Sequence, residues 1–377
     1  MASLPYPAPP GANGVLGSTE PLPMTPQEIT AEWCTKILNH KVKRITIVKE
    51  IHSTASSILI DLTYEGNHNS DEVPTHICIK GGFNKPLIEL HPNLLWTYRR
   101  EAEFYFYIGP IVEMNLPKIW YCGTDVVAGQ GLVVMDNLAA QDRSFGEPSQ
   151  PWPVARVRAA VEQLAILHAK TWGAKEENFP WMAADKEMGG NPLQAMVSSL
   201  LTAEAWDARF KDAPAPPLPE AIADRESFER VFKIMWATEN PKLRCVVHGD
   251  SHIGNTFITA DGQPGFIDWQ GSYAGVNVQD LAYFLIGVLT IEERRKHEVD
   301  IIQHYLQALH QNGGPKFEKD DIWHDYRKHA LHGVGWALAA PGMQSDENVF
   351  IMVERHVAAV SDHGTIELLE SLPEYRF

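Results

Sequence analysis

Short strand-like apolar runs, bounded by turn residues, dominate the first part of the chain after residue 40. Their composition and length predict β-strands, and a polar turn segment at 65–71 separates the second run from the third. Helical spacing of apolar residues over Leu94–Ile108 predicts one prominent helix among these strands. The predicted strands are Val42–Val48, Ser57–Tyr64, Thr75–Lys80, Ile119–Tyr121 and Gly131–Met135.

The pattern changes after Met135, where helical spacing predominates. Only two strand-like runs, Cys245–His248 and Gly265–Asp268, interrupt it, and no element can be assigned within the Ala-, Pro- and Trp-rich segment Gly173–Pro219. The predicted helices are Val154–Thr171, Ser227–Thr238, Val278–Leu289, Glu292–Leu309, Ile322–Leu338 and Val349–Leu369. This order predicts an α+β protein in which a β-rich N-lobe precedes a mainly helical C-lobe.

Length and local composition divide the chain into a tail and two lobes. At about 100–200 residues per domain, 377 residues suggest two domains. Residues 1–24 are rich in Pro and Gly, which predicts a flexible tail. Thr25-Pro26-Gln27-Glu28 offers an N-cap, a proline at N1 and a capping-box glutamate, so a helix is expected from Thr25 to about Leu38. The predicted N-lobe is 25–136 and the predicted C-lobe is 137–377.

Charge and cysteine usage argue against several classes of protein. The chain has 32 basic and 48 acidic residues, and its net charge of −16 disfavours binding to nucleic acid or to an anionic membrane. The four dispersed cysteines contain no CxxC pair and fit neither a disulfide scaffold nor a cysteine zinc site. The N-terminus lacks the signal-peptide pattern, and the apolar run Leu281–Ile291 is shorter than the about 18 residues of a membrane span. We expect a cytoplasmic protein.

The pattern that carries chemistry lies where the two late strand-like runs end. The first run leads into His248-Gly249-Asp250, and Asn255 follows the aspartate by five positions. The second run ends at Asp268. Phosphoryl transfer needs a carboxylate that accepts the proton of the attacking hydroxyl, together with oxygen ligands that hold Mg²⁺ against the ATP phosphates. Two carboxylates and one amide supply those groups.

This combination of motifs resembles the aminoglycoside phosphotransferase and choline kinase superfamily of small-molecule kinases. The resemblance extends over about residues 45–290, through His-Gly-Asp-x4-Asn, Ile-Asp-Trp-Gln and Asp280-Leu281-Ala282. It implies a protein-kinase-like fold and transfer of a phosphoryl group from ATP, with Mg²⁺, to a hydroxyl of a small molecule. By the same resemblance Asp250 is the catalytic base, Asn255 and Asp268 bind Mg²⁺, and Asp280 and His248 support the catalytic loop.

An ion pair is expected in the N-lobe. Lys80 ends a predicted strand, where this fold places its phosphate-binding lysine, although a solvated strand-end lysine would be the simpler interpretation of Lys80 alone. Glu101 is nearer than Glu103 to the apolar stripe of the next helix, so Glu101 is the predicted partner of Lys80. The stripe consists of Leu95, Tyr98, Ala102 and Tyr105.

The predicted nucleotide loop, residues 52–57, contains no glycine. Relatives in the superfamily often use serines in this place, so the hydroxyls and backbone N–H groups of Ser53, Thr54 and Ser56 are expected to contact the phosphates. Leu132–Leu138 resembles the hinge between the lobes, where Asp136 and Leu138 are expected to bind adenine through backbone groups. Gly129-Gln130-Gly131 precedes a strand rather than a helix and therefore fails as a dinucleotide fingerprint.

The sequence also bears on alternatives to a small-molecule kinase. Protein-kinase activity is disfavoured because the loop is His-Gly-Asp rather than His-Arg-Asp and the metal segment is Asp-Trp-Gln. The spacing of the 16 histidines does not favour zinc, and no Gly-x-Ser-x-Gly elbow is present. A kinase-fold protein that binds nucleotide or ligand without transfer, or that catalyses different chemistry, stays open. The identity of the acceptor and the oligomeric state also stay open.

Overall fold

The computed structural model describes residues 16–66, 72–90, 94–175, 179, 192–339 and 344–372, which form two units. The first unit holds the described residues up to Ser144, with Lys175, Phe179 and the segment Ile267–Ser272. The second holds Phe145–Ala174 and the remaining described residues. The predicted boundary at residues 136 and 137 differs from this division, because the chain joins the second unit only after Ser144 and Ile267–Ser272 belongs with the sheet of the first.

A five-stranded antiparallel sheet forms the centre of the first unit, in the order β1-β2-β3-β5-β4. In β2 every second residue from Ser56 to Leu62 is buried, as expected for a strand with one face in the core. Ile58 and Ile60 pack with Ile77, Ile79 and residues of the first helix. The strands are β1 Val42–His52, β2 Ser56–Tyr64, β3 His76–Gly81, β4 Ile119–Asp125 and β5 Gln130–Asp136.

The first helix, α1, spans Ala31–Leu38 and begins later than predicted. The Thr30 hydroxyl accepts a hydrogen bond from the Trp33 N–H and caps it, and Asn39 ends it in the left-handed conformation, at φ 54°. Thr25 makes no side-chain cap, and Pro26–Glu28 forms a single 3₁₀ turn. The prediction of a continuous helix from Thr25 is wrong because a second, satisfied N-cap lies at Thr30.

Residues 16–24 pack against the sheet, so the predicted flexible tail is wrong for this part of 1–24. The Thr124 N–H donates to the Gly17 carbonyl, and the Trp33 indole N–H donates to the Pro21 carbonyl. The buried Gln130 amide donates to the Pro23 and Gly82 carbonyls and accepts from the Gly82 N–H. Gln130 of the Gly129-Gln130-Gly131 segment therefore has a structural role, since its side chain binds the backbone at Pro23 and Gly82. Residues 1–15 lie outside the described part.

Two short helices accompany the sheet: α2 at Lys85–Leu90 and α3 at Leu95–Glu103, and α3 continues into a π-helical turn, Phe104–Ile108. Tyr98, Ala102 and Tyr105 of the predicted stripe are buried, whereas Leu95 is half-buried. Glu103 is as buried as Glu101 because it pairs with Arg99 at 2.7 Å, so the stripe alone does not distinguish the two glutamates.

The second unit is mainly helical, with two small antiparallel sheets, β6–β9 and β7–β8. Helix α8 is buried along its whole length. The strands are β6 Arg244–Val247, β7 Thr256–Ile258, β8 Pro264–Phe266 and β9 Tyr273–Val276. The helices are α4 Val154–Lys170, α5 Pro192–Leu200, α6 Ala203–Phe210, α7 Arg225–Ala237, α8 Asn277–Val288, α9 Ile291–Gln311, α10 Lys319–His329, α11 Asp346–His363 and α12 Thr365–Glu370.

Two predicted helices of this unit are divided. The predicted helix Ile322–Leu338 corresponds to most of α10 and to a separate 3₁₀ helix, His332–Leu338. Val349–Leu369 is broken at Gly364, whose φ of 55° lies in the left-handed region that ends a helix. The segment that the sequence left unassigned, Gly173–Pro219, contains α5 and α6 among its described residues. Within the described ranges, no helix combines the length and the apolar character that crossing a bilayer would require.

Candidate active site

In the first unit, the Lys80 ammonium lies between two carboxylates. Its Nζ is 3.1 and 2.9 Å from the two Glu101 oxygens and 2.6 Å from Asp268 Oδ1. The predicted contact between Lys80 and Glu101 is present. Burial alone would lower the pKa of Lys80, but the charges of Asp268 and Glu101 raise it above its ordinary value, so the lysine stays cationic.

The segment after β8 is fixed to α3 through its backbone and its indole ring. Asp268 has a left-handed backbone, φ 66° and ψ 62°, a conformation that is uncommon for residues other than glycine. The Trp269 N–H donates to Glu101 Oε1 at 3.2 Å, and its ring stacks on Phe104 at 3.8 Å. These contacts aim the Asp268 carboxylate, whose side chain is 28% exposed, at Lys80.

The predicted nucleotide loop is the hairpin that joins β1 and β2. Ser53 hydrogen-bonds to the Ala55 carbonyl, and the Thr54 carbonyl accepts from the Tyr98 hydroxyl at 2.6 Å. Ser56 is fully buried, and its hydroxyl lies 2.9 Å from His52 Nδ1. A direct phosphate contact is therefore not supported for the Ser56 side chain, which orders the hairpin instead.

The hinge candidates lie at the end of β5. Register pairs Lys80 with Val133 and Ile77 with Asp136, so Asp136 points to the sheet face opposite Lys80. The Asp136 carboxylate accepts from the Trp120 indole and the Gln141 amide, at 2.6 and 2.9 Å. Any contact of Asp136 with a nucleotide on the Lys80 face would come from its main chain. Leu138 is half-buried and begins a 3₁₀ turn. The Asn137 side chain accepts a hydrogen bond from the Ala140 N–H, so only part of the first N–H groups of this turn is available to a ligand.

In the second unit, Asp250 and Asn255 contact each other in the loop after β6. Asn255 Nδ2 donates to the Asp250 carbonyl at 2.9 Å and to Asp250 Oδ2 at 3.1 Å. Because the NH₂ group faces Asp250, the amide oxygen of Asn255 is the atom left for a cation. Asp250 is 36% exposed at its side chain, whereas Asn255 is buried. The loop thus presents one accessible carboxylate beside one amide oxygen.

Asp280, at the start of α8, holds the backbone of this loop. Its oxygens accept from the His248 and Gly249 N–H groups at 2.6 and 3.0 Å, and His168 Nε2 lies 3.1 Å away. Burial alone would raise the pKa of Asp280, but the His168 and His248 interactions hold it below its ordinary value. The His248 ring accepts from the Asp250 N–H at 3.2 Å. Asp280 and His248 therefore both hold the loop, which is the role that the resemblance implies for them.

Comparisons with known proteins identify the family of the chain. A sequence profile of the ecdysteroid kinase-like family matches residues 56–313. The chain belongs to that family. That family is described as kinase-like with a small-molecule substrate class in its name, so the predicted resemblance to the small-molecule kinases is confirmed. No curated protein matches the chain in sequence.

Solved structures show the fold of this family member. A putative aminoglycoside phosphotransferase from Ralstonia eutropha JMP134 has a TM-score of 0.50 at 14% identity, covering 89% of this chain and 97% of its own. An ethanolamine kinase of Plasmodium vivax has 13% identity, coverage of 85% and 82%, and a TM-score of 0.48. A choline kinase of Streptococcus pneumoniae has 16% identity, coverage of 88% and 97%, and a TM-score of 0.46. The predicted α+β, protein-kinase-like fold is confirmed.

Sequence reasoning missed one polar contact of Asp250. The Tyr283 hydroxyl donates to Asp250 Oδ1 at 3.2 Å, and the Trp336 indole N–H donates to that hydroxyl at 2.5 Å. Tyr283 follows Asp280 by three positions in a helix, so both lie on one face, and this spacing could have indicated it. Trp336 lies in a 3₁₀ helix that the sequence did not separate from α10, and no local signal marks it.

Replacing Lys80 by methionine is expected to weaken ATP binding and also to destabilise the fold. The substitution leaves the buried Glu101 carboxylate without its cation, which costs about 3–5 kcal/mol. The double variant Lys80→Met/Glu101→Gln should recover most of that stability without recovering nucleotide affinity. Lys85→Met removes an exposed lysine and serves as the control. Urea denaturation and ATP titration measure both quantities; unchanged ATP affinity in Lys80→Met would leave Lys80 a purely structural residue.

Proposed function

We propose that this protein transfers the γ-phosphoryl group of ATP, with Mg²⁺, to a hydroxyl of a small molecule, and that Asp250 is the base. The observation that carries the proposal is the Lys80 ammonium clamped between the Glu101 and Asp268 carboxylates. A buried ammonium group can donate to phosphate oxygens, and the partly exposed Asp268 carboxylate is suited to hold a metal ion beside them. Membership of a small-molecule kinase family supports the same activity.

Asp250 takes the proton of the acceptor hydroxyl in this proposal. The hydroxyl oxygen forms a bond to the γ-phosphorus, the bond from phosphorus to the bridging oxygen breaks, and ADP leaves with that electron pair. Asp250 then releases the proton to water, so the products are a phosphate monoester, ADP and a proton. The Asp280 carboxylate keeps the His248 and Gly249 N–H groups in place, which fixes the backbone from which Asp250 projects.

The donor set of the two metal candidates suits Mg²⁺, which prefers oxygen ligands and leaves positions for water and phosphate. Asn255 turns its NH₂ group toward Asp250, which leaves its amide oxygen as a ligand. Asp268 contributes a carboxylate. In this proposal both residues hold the ion, which when bound neutralises charge on the phosphates. Among the described residues no group of three or more His, Cys, Asp or Glu is placed to bind a metal by itself.

ATP is expected to raise the unfolding temperature much more with Mg²⁺ than with EDTA. Ligand at about 100 times its Kd stabilises the folded state by about 2.7 kcal/mol. Asp268→Ala should remove most of the difference between the two conditions, whereas Asp320→Ala, which changes an exposed aspartate of α10, should preserve it. Differential scanning fluorimetry at millimolar ATP provides the measurement, and equal shifts with and without Mg²⁺ would contradict the metal site.

The acceptor is proposed to be an alcohol, and the family description makes ecdysteroids the first compounds to test. Purified protein, ATP and Mg²⁺ are incubated with ecdysone and, separately, with a metabolite extract. Mass spectrometry should show a product heavier by one phosphoryl group. Binding of ATP–Mg²⁺ without any phosphorylated product, and without slow hydrolysis of ATP, would favour a kinase-fold binding protein instead.

A further inference from the structure

A directed chain of hydrogen bonds within the second unit ends on Asp250. An indole N–H can only donate, so the 2.5 Å contact makes the Tyr283 oxygen the acceptor from Trp336. The phenolic proton of Tyr283 then points to Asp250 Oδ1 at 3.2 Å. Tyr283 and Trp336 are both buried, on α8 and on the 3₁₀ helix His332–Leu338. The direction from Trp336 through Tyr283 to Asp250 is therefore fixed.

Tyr283 is a permanent donor in this chain. Burial, and next the charge of Asp250, raise the pKa of Tyr283 well above its ordinary value, so the phenol keeps its proton. Tyr283 and Trp336 also share an apolar cluster with Val349, Met352 and Val353, which restrains both rings.

The other carboxylate oxygen of Asp250 is held by the loop itself. Asn255 Nδ2 donates to Oδ2 at 3.1 Å, and His252 Nε2 lies 3.7 Å from the same atom. The Gly254 N–H donates to His252 Nδ1, so a neutral His252 carries its proton on Nε2 and turns a donor toward Asp250. Oδ1 thus has a donor from the helical scaffold, and Oδ2 has a hydrogen-bond donor, Asn255, from its own loop.

The terminal torsion of an aspartate is broad, so a carboxylate with only one fixed oxygen can still turn. A base acts well only when its lone pair faces the hydroxyl that it deprotonates. The contact to Oδ2 comes from a residue of the same loop, whereas Tyr283 connects Oδ1 to a helix that is buried along its whole length.

We propose that Tyr283, held by Trp336, is a positioning residue that fixes the plane of the Asp250 carboxylate for attack by the acceptor. The inference rests on the proposed function, since it assigns Tyr283 a role in the same proton transfer. It makes the helices behind the loop, and not the loop alone, responsible for the orientation of the base.

Tyr283→Phe is expected to lower kcat by about tenfold to hundredfold, which is the size of loss that a misplaced catalytic group causes. The rate is measured with ecdysone as the acceptor or, without an acceptor, as slow hydrolysis of ATP by water. KM for the acceptor and Kd for ATP–Mg²⁺ should stay within about twofold of wild type, because the substitution removes no contact to the acceptor or to the nucleotide. In an Asp250→Asn background the same substitution should change kcat by less than about twofold, since no base remains to be positioned. Trp336→Phe should have a smaller effect than Tyr283→Phe.

Tyr326→Phe is the matched control. It also deletes a buried tyrosine hydroxyl that donates to a buried carboxylate, Glu298 at 2.9 Å, but it lies in a different network of the same unit. Tyr326→Phe should lower the unfolding temperature without changing kcat. If Tyr283→Phe unfolds because the Trp336 N–H loses its acceptor, the double variant Tyr283→Phe/Trp336→Phe removes both polar groups and allows the same measurement.

Wild-type kcat in Tyr283→Phe, or an equal loss with and without Asp250, would overturn the positioning role while leaving the phosphotransferase intact. Absence of product and of ATP hydrolysis in the wild type would instead overturn the proposed function. A crystal structure of Tyr283→Phe decides the positioning role without any acceptor. We expect the Asp250 carboxylate to adopt a second orientation there, and an unchanged orientation would refute the proposal.

Discussion

Asp250→Asn is expected to lower turnover by about 10²–10⁴-fold, the usual contribution of general-base assistance, while ATP–Mg²⁺ still binds. The substitution preserves size but removes the charge and the basic lone pair. Both Asp250 oxygens accept hydrogen bonds, from Tyr283 and Asn255, so an amide keeps only one of these acceptors and sets its NH₂ group against the other donor. Nucleotide binding should survive because the proposed metal ligands, Asn255 and Asp268, are unchanged.

The measurement pairs an ATP titration with steady-state turnover of ecdysone or of the acceptor found in the extract. Asp261→Asn, which changes an exposed aspartate in the turn between β7 and β8, provides a control with the same chemical change. It should match the wild type in both assays. Turnover of Asp250→Asn at the wild-type rate would show that this loop is not catalytic, and a loss of ATP binding would show that Asp250 holds the nucleotide or its metal instead.

Local patterns are sufficient to predict most of the helices and strands. The five strands of the large sheet were found because apolar runs and turns report local backbone preference. The strand end and the apolar stripe indicate that Lys80 has its partner on the next helix, but the choice of Glu101 over Glu103 depends on the structure, because both glutamates are buried. Asp250, Asn255 and Asp280 belong to one loop and the helix that holds it, where spacing along the chain reports spacing in the structure.

Features that depend on distant partners could not be predicted in this way. Residues 16–24 look like a tail by composition, yet the side chain of Gln130 and the backbone of Thr124 fix them to the sheet. Asp136 looks like a hinge residue, but the register of β3 and β5 turns its carboxylate to the face opposite Lys80. Trp336 reaches Tyr283 across 53 positions of sequence, and no periodicity links the two residues.

Acidification from pH 7 to pH 5 is expected to destabilise the fold through three buried histidines of the second unit. Burial lowers the pKa of His329 to about 4, of His332 to about 3 and of His356 to about 3. In the unfolded chain each would have an ordinary pKa near 6.5, so between about pH 6.5 and pH 4 only the unfolded state gains these protons. The stability they contribute is complete above pH 6.5 and is lost as the pH falls, by roughly 2 kcal/mol for each histidine at pH 5.

Glu239 acts in the opposite direction. Burial raises its pKa to about 7, although Arg244 and Lys328 oppose the rise, so the folded state gains a proton as the pH falls from 7 and recovers roughly 2 kcal/mol by pH 5. Three histidines outweigh this carboxyl group, and the net loss from these four groups at pH 5 should be about 4 kcal/mol, a large part of the 5–15 kcal/mol that typically stabilises a domain.

Urea denaturation, followed by tryptophan fluorescence at intervals from pH 7.5 to pH 5, measures this loss. His329→Gln should remove about a third of the histidine contribution to the slope of unfolding free energy against pH, even if it also lowers stability at every pH. Glu239→Gln should make the slope steeper, because it removes the only opposing group named above. His324→Gln, an exposed histidine of the same helix α10, should leave the slope as it is. A wild-type free energy that does not change over this range would mean that these histidines are accessible to protons in the folded state, and a slope unchanged by His329→Gln would assign the acid sensitivity to other groups.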